Sequence, residues 1–324
     1  MNVDSVKRNR TALVTLVSMA VLSATALALP LPTSPEYIHS GDHTFVLPAS
    51  ADTSRALLSD GRTLEVRGAE GVAYLIGDNQ RAVVKLPEAR RFGSITVMPN
   101  GLVLFWGGID AQGHVFDSGE WFNPDTQHFV RTGPLGLPAR AGHTLTVLTD
   151  GTLLMTGGWS SDGTPATTAV VWQEASHQIT SLPGIYAPRM DAIATLQADG
   201  SVRVENGVDA KGFPLHDAWT FHPDVSSQLA SKQTSSSLIA ETRPLSDTDQ
   251  ASIHGPLVLR FAMPVDLKQL NTHSVTLLGP EGTVPVHVIG AEGGRLAFVQ
   301  LPDDLYPGSR YTLLEVAAQI RTTG

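Results

Sequence analysis

The chain has 324 residues, of which 42% are hydrophobic and 16% charged, and it contains no cysteine. That length suits one large domain or two ordinary ones, and the apolar fraction is enough for a buried core, so a wholly disordered protein is excluded. The formal net charge of -9 argues against nucleic acid and anionic membranes as partners, and the lack of cysteine excludes disulfides, thiolate nucleophiles and cysteine-ligated metals.

Residues 1–28 have the pattern of a secretory signal peptide. Three basic residues precede an uncharged apolar run over 11–29, and Ala26 and Ala28 fit a small-residue cleavage site. We therefore predict export, with 29–54 as the N-terminal segment of the mature protein. The apolar run is long enough to cross a bilayer, so an uncleaved membrane anchor is the alternative. An exported chain without disulfides is typical of the bacterial envelope or the extracellular space.

After residue 30, short segments such as 94–98, 144–148 and 201–205 alternate between apolar and polar residues, as half-buried strands do. Turn dipeptides separate the paired strands. They are Asp60-Gly61, Asn100-Gly101, Asp150-Gly151 and Asp199-Gly200. Because Asn-Gly and Asp-Gly accept the positive φ angles of two-residue hairpins, we predict four hairpins in an all-β protein.

Three further columns keep a constant spacing from the turn glycine. An arginine lies 11 residues before it, a second glycine lies seven after it, and an aromatic residue follows 14 later still. The columns are Arg90, Arg140 and Arg189; Gly108, Gly158 and Gly207; and Phe122, Trp172 and Phe221. Constant register over segments of about 50 residues indicates a repeat array. The first copy is shorter and keeps only Gly61 and Gly68.

Segment 140–159, Arg-Ala-Gly-His-Thr-Leu-Thr-Val-Leu-Thr-Asp-Gly-Thr-Leu-Leu-Met-Thr-Gly-Gly-Trp, resembles a kelch repeat of the galactose-oxidase type. The resemblance covers 55–228 and implies a kelch-like β-propeller, in which small sheets are arranged radially. Propellers of this family usually have six or seven blades, and four are visible here. Either further blades are unrecognisable, or the ring is small or open. In such a ring we expect the arginine column to brace one blade against the next.

Over 229–252 the chain is polar and serine-rich, which we interpret as a linker or a blade-edge strand. Five strand-like segments follow in 253–324, a pattern typical of a β-sandwich. The segments Phe261-Ala-Met-Pro-Val-Asp266 and Leu305-Tyr-Pro-Gly-Ser-Arg-Tyr311 resemble the bacterial Ig-like domains of S-layer proteins. The order of the two modules also resembles the N-terminal part of Rhs-type (YD-repeat) surface proteins, and a pattern that stops at Gly324 implies a truncated Ig-like module.

No catalytic constellation is recognisable in the sequence. The galactose-oxidase resemblance does not extend to copper-radical chemistry, because the cofactor of that family is a tyrosine crosslinked to a cysteine. Neither a Gly-x-Ser-x-Gly elbow nor a His-Glu-x-x-His motif is present. We therefore predict no catalytic residue, no metal and no cofactor.

Two long loops, 109–119 and 159–168, follow the glycine pair in matching positions, and loops on a rigid scaffold are where recognition usually takes place. Trp159 and Asp162 are the candidate binding residues, since an indole can stack on a sugar and a carboxylate can accept its hydroxyl groups. A packing role is the alternative for Trp159.

These features favour an exported, non-enzymatic binding or scaffold protein with a glycan or protein partner. A carbohydrate-active enzyme with unrecognised catalytic residues is the alternative. A truncated gene product without an independent role is a third interpretation.

Overall fold

The computed structural model describes residues 36–48, 52–182, 187–223, 238–244, 255–303, 305–315 and 320–323. Within these ranges the protein is all-β: 24 strands form seven antiparallel sheets, and no α-helix is present. The predicted signal peptide, its alternative as an anchor, and Gly324 lie outside the described residues. The helical turns of the described part include none with the length and apolar character needed to span a membrane.

The first sheet is an N-terminal hairpin of β1 (Glu36–Ser40) and β2 (His43–Leu47). The next four sheets are consecutive meanders, which we call repeats 1 to 4. Repeat 1 has β3 (Ser54–Leu57), β4 (Thr63–Arg67), β5 (Val72–Ile76) and β6 (Arg81–Lys85); repeat 2 has β7 (Ser94–Val97), β8 (Val103–Trp106), β9 (Gly119–Asn123) and β10 (His128–Arg131); repeat 3 has β11 (Ala141–Val147), β12 (Leu153–Trp159), β13 (Ala169–Gln173) and β14 (Gln178–Leu182); repeat 4 has β15 (Ile193–Leu196), β16 (Val202–Glu205) and β17 (Ala218–Phe221). Strands follow chain order in each sheet, so the first strand of every repeat is an edge strand.

The four predicted hairpins are present between the first two strands of each repeat. The expectation of two-residue turns was wrong. The glycine alone takes a positive φ, between 81° and 85°, and its N–H bonds the carbonyl three residues earlier. This is a three-residue loop with a left-handed glycine at its end. The preceding side chain fixes the loop, as where Asp60 Oδ1 accepts from Arg62 N at 2.9 Å and Asp150 Oδ1 from Thr152 N at 3.0 Å.

The arginine column holds repeats 2, 3 and 4 together from within. Arg90 Nη1 donates to Ser118 O at 2.8 Å, and Arg140 Nη1 donates to Gly157 O at 3.1 Å. Arg189 makes the corresponding bonds in repeat 4. All these acceptors belong to the same repeat as the arginine, so the guanidinium groups brace their own sheets.

The backbone of the same arginines provides the brace between repeats. Gly108 N donates to Arg140 O at 2.8 Å, and Gly158 N donates to Arg189 O at 2.9 Å, each across to the next repeat. A Cβ added to the preceding glycine, Gly107, would lie 2.2 Å from Arg140 O. The glycine pair is therefore needed because two repeats approach each other through their backbones.

Two C-terminal sheets complete the fold. Their strands are β18 (Ile239–Arg243), β19 (Leu257–Phe261), β20 (Val275–Gly279), β21 (Gly282–Val284), β22 (His287–Ala291), β23 (Leu296–Gln300) and β24 (Thr312–Glu315). The sheet orders are β18-β19-β23-β22 and β21-β20-β24, and the two share a core that includes Leu259 and Val275. β18 lies inside the segment interpreted as a linker and pairs with β19.

The sheet that contains β22 and β23 also packs against the repeats through its other face. Ile289 and Phe298 belong to the same hydrophobic core as the strands of the repeats. The turn glycines of the four repeats lie against C-terminal side chains: Gly61 against Lys268, Gly101 against Ile289, Gly151 against Phe298 and Gly200 against Arg260. The C-terminal sheets therefore cover the hairpin ends of all four repeats.

Candidate functional site

A groove of about 340 Å³ lies among the first strands of the four repeats. Each repeat contributes the same four positions, starting nine residues before the turn glycine. The lining segments are 52–55, 92–95, 142–145 and 191–194. The first strands contact one another in the series β3, β7, β11, β15, and each is an edge strand. The groove is therefore bordered by strand edges, whose outward N–H and C=O groups lie outside the sheet ladders.

A chain of hydrogen bonds links the starts of these strands. Phe92 N donates to Asp52 Oδ1 at 2.7 Å, Gly142 N to Phe92 O at 2.7 Å, and Asp191 N to Gly142 O at 2.8 Å. Phe92, Gly142 and Asp191 all have a positive φ, of 56°, 68° and 53°. The chain ends at Asp191, because none of the described residues donates to its carbonyl.

Hydroxyl groups in the groove are used to join neighbouring repeats. Ser54 Oγ donates to Gly93 O at 2.6 Å, from repeat 1 to repeat 2. Ser94 Oγ donates in the same way to His143 O, from repeat 2 to repeat 3. In repeat 3 the equivalent Thr144 bonds Thr156 Oγ1 of its own sheet at 2.7 Å, and in repeat 4 the equivalent Ile193 has no hydroxyl. These serines therefore hold the fold together and do not converge on an empty position.

Two carboxylates give the groove its negative charge. Asp52 also accepts from Ala69 N at 2.9 Å. Burial raises the pKa of Asp52; the backbone N–H groups of Phe92 and Ala69 and the charge of Arg91 oppose that rise, and the charge of Asp191 adds to it. Asp191 itself is exposed. The two carboxylates are thus close enough to interact electrostatically across the groove.

His143 borders the groove but is enclosed. It is 4% exposed, and Cβ atoms added to Gly107 and Gly158 would lie 2.8 and 2.9 Å from its side chain. Burial lowers the pKa of His143 to about 3; the charge of Arg140 adds to this effect and its carbonyl opposes it. Neither ring nitrogen has a well-aligned hydrogen-bond partner among the described residues. His143 is therefore a neutral packing residue between repeats 2 and 3.

The N-terminal hairpin covers one end of the first strands and encloses the predicted binding residue Trp159. The Trp159 Nε1 donates to Val46 O at 3.0 Å, and its ring meets that of Phe45 edge-on at 6.2 Å. Trp159 is 3% exposed and shares a core with Phe92 and Met190. The structure therefore places Trp159 in the packing position that was the alternative to sugar stacking.

Asp162, the other predicted residue, lies on the exposed loop beyond β12. Its Oδ1 accepts from Thr164 N at 3.0 Å and from Thr164 Oγ1 at 2.6 Å. These hydrogen bonds lower the pKa of Asp162. Loops of the same kind occur at 109–115 and 208–214, where Asp110 and Asp209 accept backbone N–H groups. The third loop was missed in the sequence, although the shared Asp-x-x-Gly of 110–113 and 209–212 could have shown it.

Glu292 reaches the opposite end of the first strands from the turn between β22 and β23. Its Oε1 accepts from Val147 N at 2.7 Å and from Thr96 Oγ1 at 3.3 Å. Burial raises the pKa of Glu292 to about 7, and the two hydrogen bonds oppose the rise. This contact was also missed, because no spacing in the sequence connects residue 292 with the repeats.

Within the described part of the chain, no group of three or more His, Asp or Glu residues is placed to hold a metal ion. A comparison of the chain with models of protein families and with curated proteins found no match. The kelch, Ig-like and Rhs resemblances therefore stay predictions from the sequence.

Proposed function

We propose that the chain is an exported, non-enzymatic binding or scaffold protein, in which a kelch-like propeller of four repeats and an Ig-like module present loops to a glycan or protein partner. The observation that carries this proposal is that polar side chains of the groove are engaged in contacts within the fold. Asp52 holds two backbone N–H groups, Ser54 and Ser94 bond carbonyls of the next repeat, and His143 is enclosed.

A hydrolase or oxidase needs a nucleophile, a base or a metal that converges on an accessible reacting atom. In the groove the strongest pKa perturbation belongs to His143, whose imidazole packs between repeats. The groove side chains named above are therefore explained by folding, which supports binding over catalysis.

The loop end of the repeats is the better candidate for recognition. The loops 109–115, 159–165 and 208–214 lie in matching positions, and the first two lie beside the N-terminal hairpin. Phe213 is 64% exposed on the third loop, and Asp162 is exposed on the second. An aromatic ring and neighbouring polar groups on fixed loops are suited to bind a sugar or a protein surface.

A glycan array, run beside a broad screen for sugar hydrolysis and oxidation, tests the proposal. Asp162→Ala should weaken binding of whichever glycan is found. Asp150→Ala is the matched control, because Asp150 Oδ1 accepts from Thr152 N at 3.0 Å and from Thr152 Oγ1 at 2.6 Å, the same distances as in the Asp162 loop. Turnover of any sugar would contradict the proposal.

A further inference from the structure

Neighbouring first strands contact each other in the pairs β3–β7, β7–β11 and β11–β15, and we call the remaining side of the groove, between repeats 4 and 1, the seam. One wall of the seam is 191–194 of repeat 4 and the other is 52–55 of repeat 1. Ile193 on the first wall is 53% exposed, whereas Thr144, the equivalent residue of repeat 3, is 9% exposed. Thr144 lies in β11, which contacts β15 of repeat 4, and its Oγ1 bonds Thr156 Oγ1 at 2.7 Å.

Among the described residues, the polar links between first strands are not continued at the seam. Ser54 and Ser94 each bond a carbonyl of the next repeat; Thr144 bonds Thr156 of its own repeat instead, and Ile193 has no hydroxyl. The carbonyl of Asp191 also receives no hydrogen bond from the described residues. Among the described strands, β3 pairs only with β4 and β15 only with β16, so backbone groups on their other edges can pair with another chain.

The walls of the seam are also polar where other repeats are apolar. Glu65 of repeat 1 occupies the position of Phe105 and Met155 in repeats 2 and 3. Its carboxylate pairs with Arg55 at 2.9 Å. In repeat 4, Arg203 occupies the position of three fully buried leucines, Leu64, Leu104 and Leu154. Polar outer faces are how repeat arrays end, so the seam lies between two terminal faces.

We propose that the seam binds an extended, basic segment of a partner protein. The edge of β3 or β15 would pair with the backbone of the segment, as in β-strand addition. The carboxylates of Asp52 and Asp191 would attract a lysine or arginine of the segment, while Ile193 supplies apolar contact. On the wall of repeat 1, Arg55 is paired with Glu65, which it shares with Arg67.

The groove chemistry favours a peptide over a sugar. Among the described residues that line the groove, Phe92 is the one Phe, Tyr or Trp, and it is 5% exposed. A sugar ring therefore has no aromatic face to stack on there. The inference rests on the proposed binding function and names the class of partner at a second position, distinct from the loops.

Model peptides provide the test. The probe is a fluorescein-labelled peptide of about six residues that alternates threonine and valine and carries two lysines, a length typical of a strand. A second peptide has glutamates in place of the lysines, and a third has every backbone nitrogen methylated. We expect the lysine peptide to bind about tenfold more tightly than the glutamate peptide in fluorescence anisotropy. Methylation should abolish binding, because it blocks the hydrogen bonds to a strand edge.

Asp191→Asn should weaken the lysine peptide about fivefold. Asparagine accepts the left-handed backbone of this position, so the fold is retained. Asp125→Asn is the control, since Asp125 is an exposed turn residue outside the groove and loses the same charge.

Equal affinity for the lysine and glutamate peptides, binding of the methylated peptide, or an unchanged affinity in Asp191→Asn would overturn the inference. So would a glycan whose binding is lost in Asp191→Asn. A glycan that depends on Asp162, together with no peptide binding, would overturn the inference and leave the proposed function intact. Sugar turnover would overturn the proposed function whatever the peptides do.

Discussion

Corresponding strands carry buried apolar residues at the boundary between repeats 2 and 3, and charged residues on the outward faces of repeats 1 and 4. Inside the array, Phe105 and Met155 are 1% and 0% exposed. At the ends, the corresponding strands carry Glu65, and Arg203 paired with Glu205 at 2.9 Å. The residue type is therefore decided by the place of a repeat in the array as well as by the place of a residue in the repeat.

The ion network of repeat 1 shows how an end face tolerates a carboxylate. Burial raises the pKa of Glu65, but hydrogen bonds from Arg55 and Arg67 outweigh that effect and hold the pKa below its ordinary value. Arg81 also stacks over the ring of Tyr74 at 3.7 Å. This face is built to stay charged in contact with water.

The largest expected effect comes from truncating the inner boundary. Phe105→Ala should lower the free energy of unfolding by about 3–5 kcal/mol, because it leaves a cavity between packed sheets. Arg203→Ala on the end face of repeat 4 should change it by less than about 0.5 kcal/mol. Urea denaturation of both variants measures the contrast. A similar loss in both would mean that repeat 4 is packed against a further element.

Removing an arginine from an ion pair should also lower the free energy of unfolding more at an inner position than on an end face, with a smaller loss than for Phe105→Ala. Arg90 contacts Glu120, which is 0% exposed, at 2.8 Å, and burial raises the pKa of Glu120 to about 7. Arg90→Met should cost about 3 kcal/mol at pH 8, because it leaves a buried carboxylate unpaired. The cost should be smaller at pH 6, where Glu120 can take up a proton.

Arg55→Met is the matched variant on the end face, where the arginine side chain is 64% exposed. It should cost less than about 1 kcal/mol. Chemical denaturation at the two pH values checks both variants. An Arg55→Met loss as large as that of Arg90→Met would contradict the distinction between inner and end positions.

The smallest effect concerns the pH dependence of the contact at Glu292. Its pKa of about 7 in the folded protein exceeds the 4.5 of an unperturbed glutamate. Between these values the folded state binds more protons than the unfolded state, so the stabilising contribution of Glu292 falls as pH rises from about 5 to 8. We expect a fall of about 1–3 kcal/mol, and Glu292→Gln should remove it.

Thermal unfolding between pH 5 and 8 measures this slope, with Glu281→Gln as the control at an exposed turn. An unchanged slope in Glu292→Gln would show that the carboxyl is not buried among the first strands.

The repeat register could be predicted from the sequence, because its glycines and arginines have the same structural roles in successive copies. Gly61, Gly101 and Gly151 all end the same loop, and Arg90 and Arg140 bond the same kinds of acceptor. Local spacing is enough to find such columns, because each contact joins residues of one repeat.

The groove could not be read in the same way. Phe92, Gly142 and Asp191 share a left-handed backbone but have unrelated side chains, so their column is invisible in the sequence. Trp159 was placed on a loop because the hairpin that covers it comes from β1 and β2, more than 100 residues earlier. Contacts of this kind depend on tertiary packing and leave no local pattern.

Cysteine labelling tests the open seam most directly. The chain has no cysteine, so Ile193→Cys introduces a single thiol at the seam and Thr144→Cys a single thiol at the equivalent covered position. Ile193→Cys should react with a maleimide about a hundredfold faster than Thr144→Cys, and the lysine peptide should slow it. Equal rates for the two variants, or a rate for Ile193→Cys that the peptide leaves unchanged, would contradict an open seam that binds a partner strand.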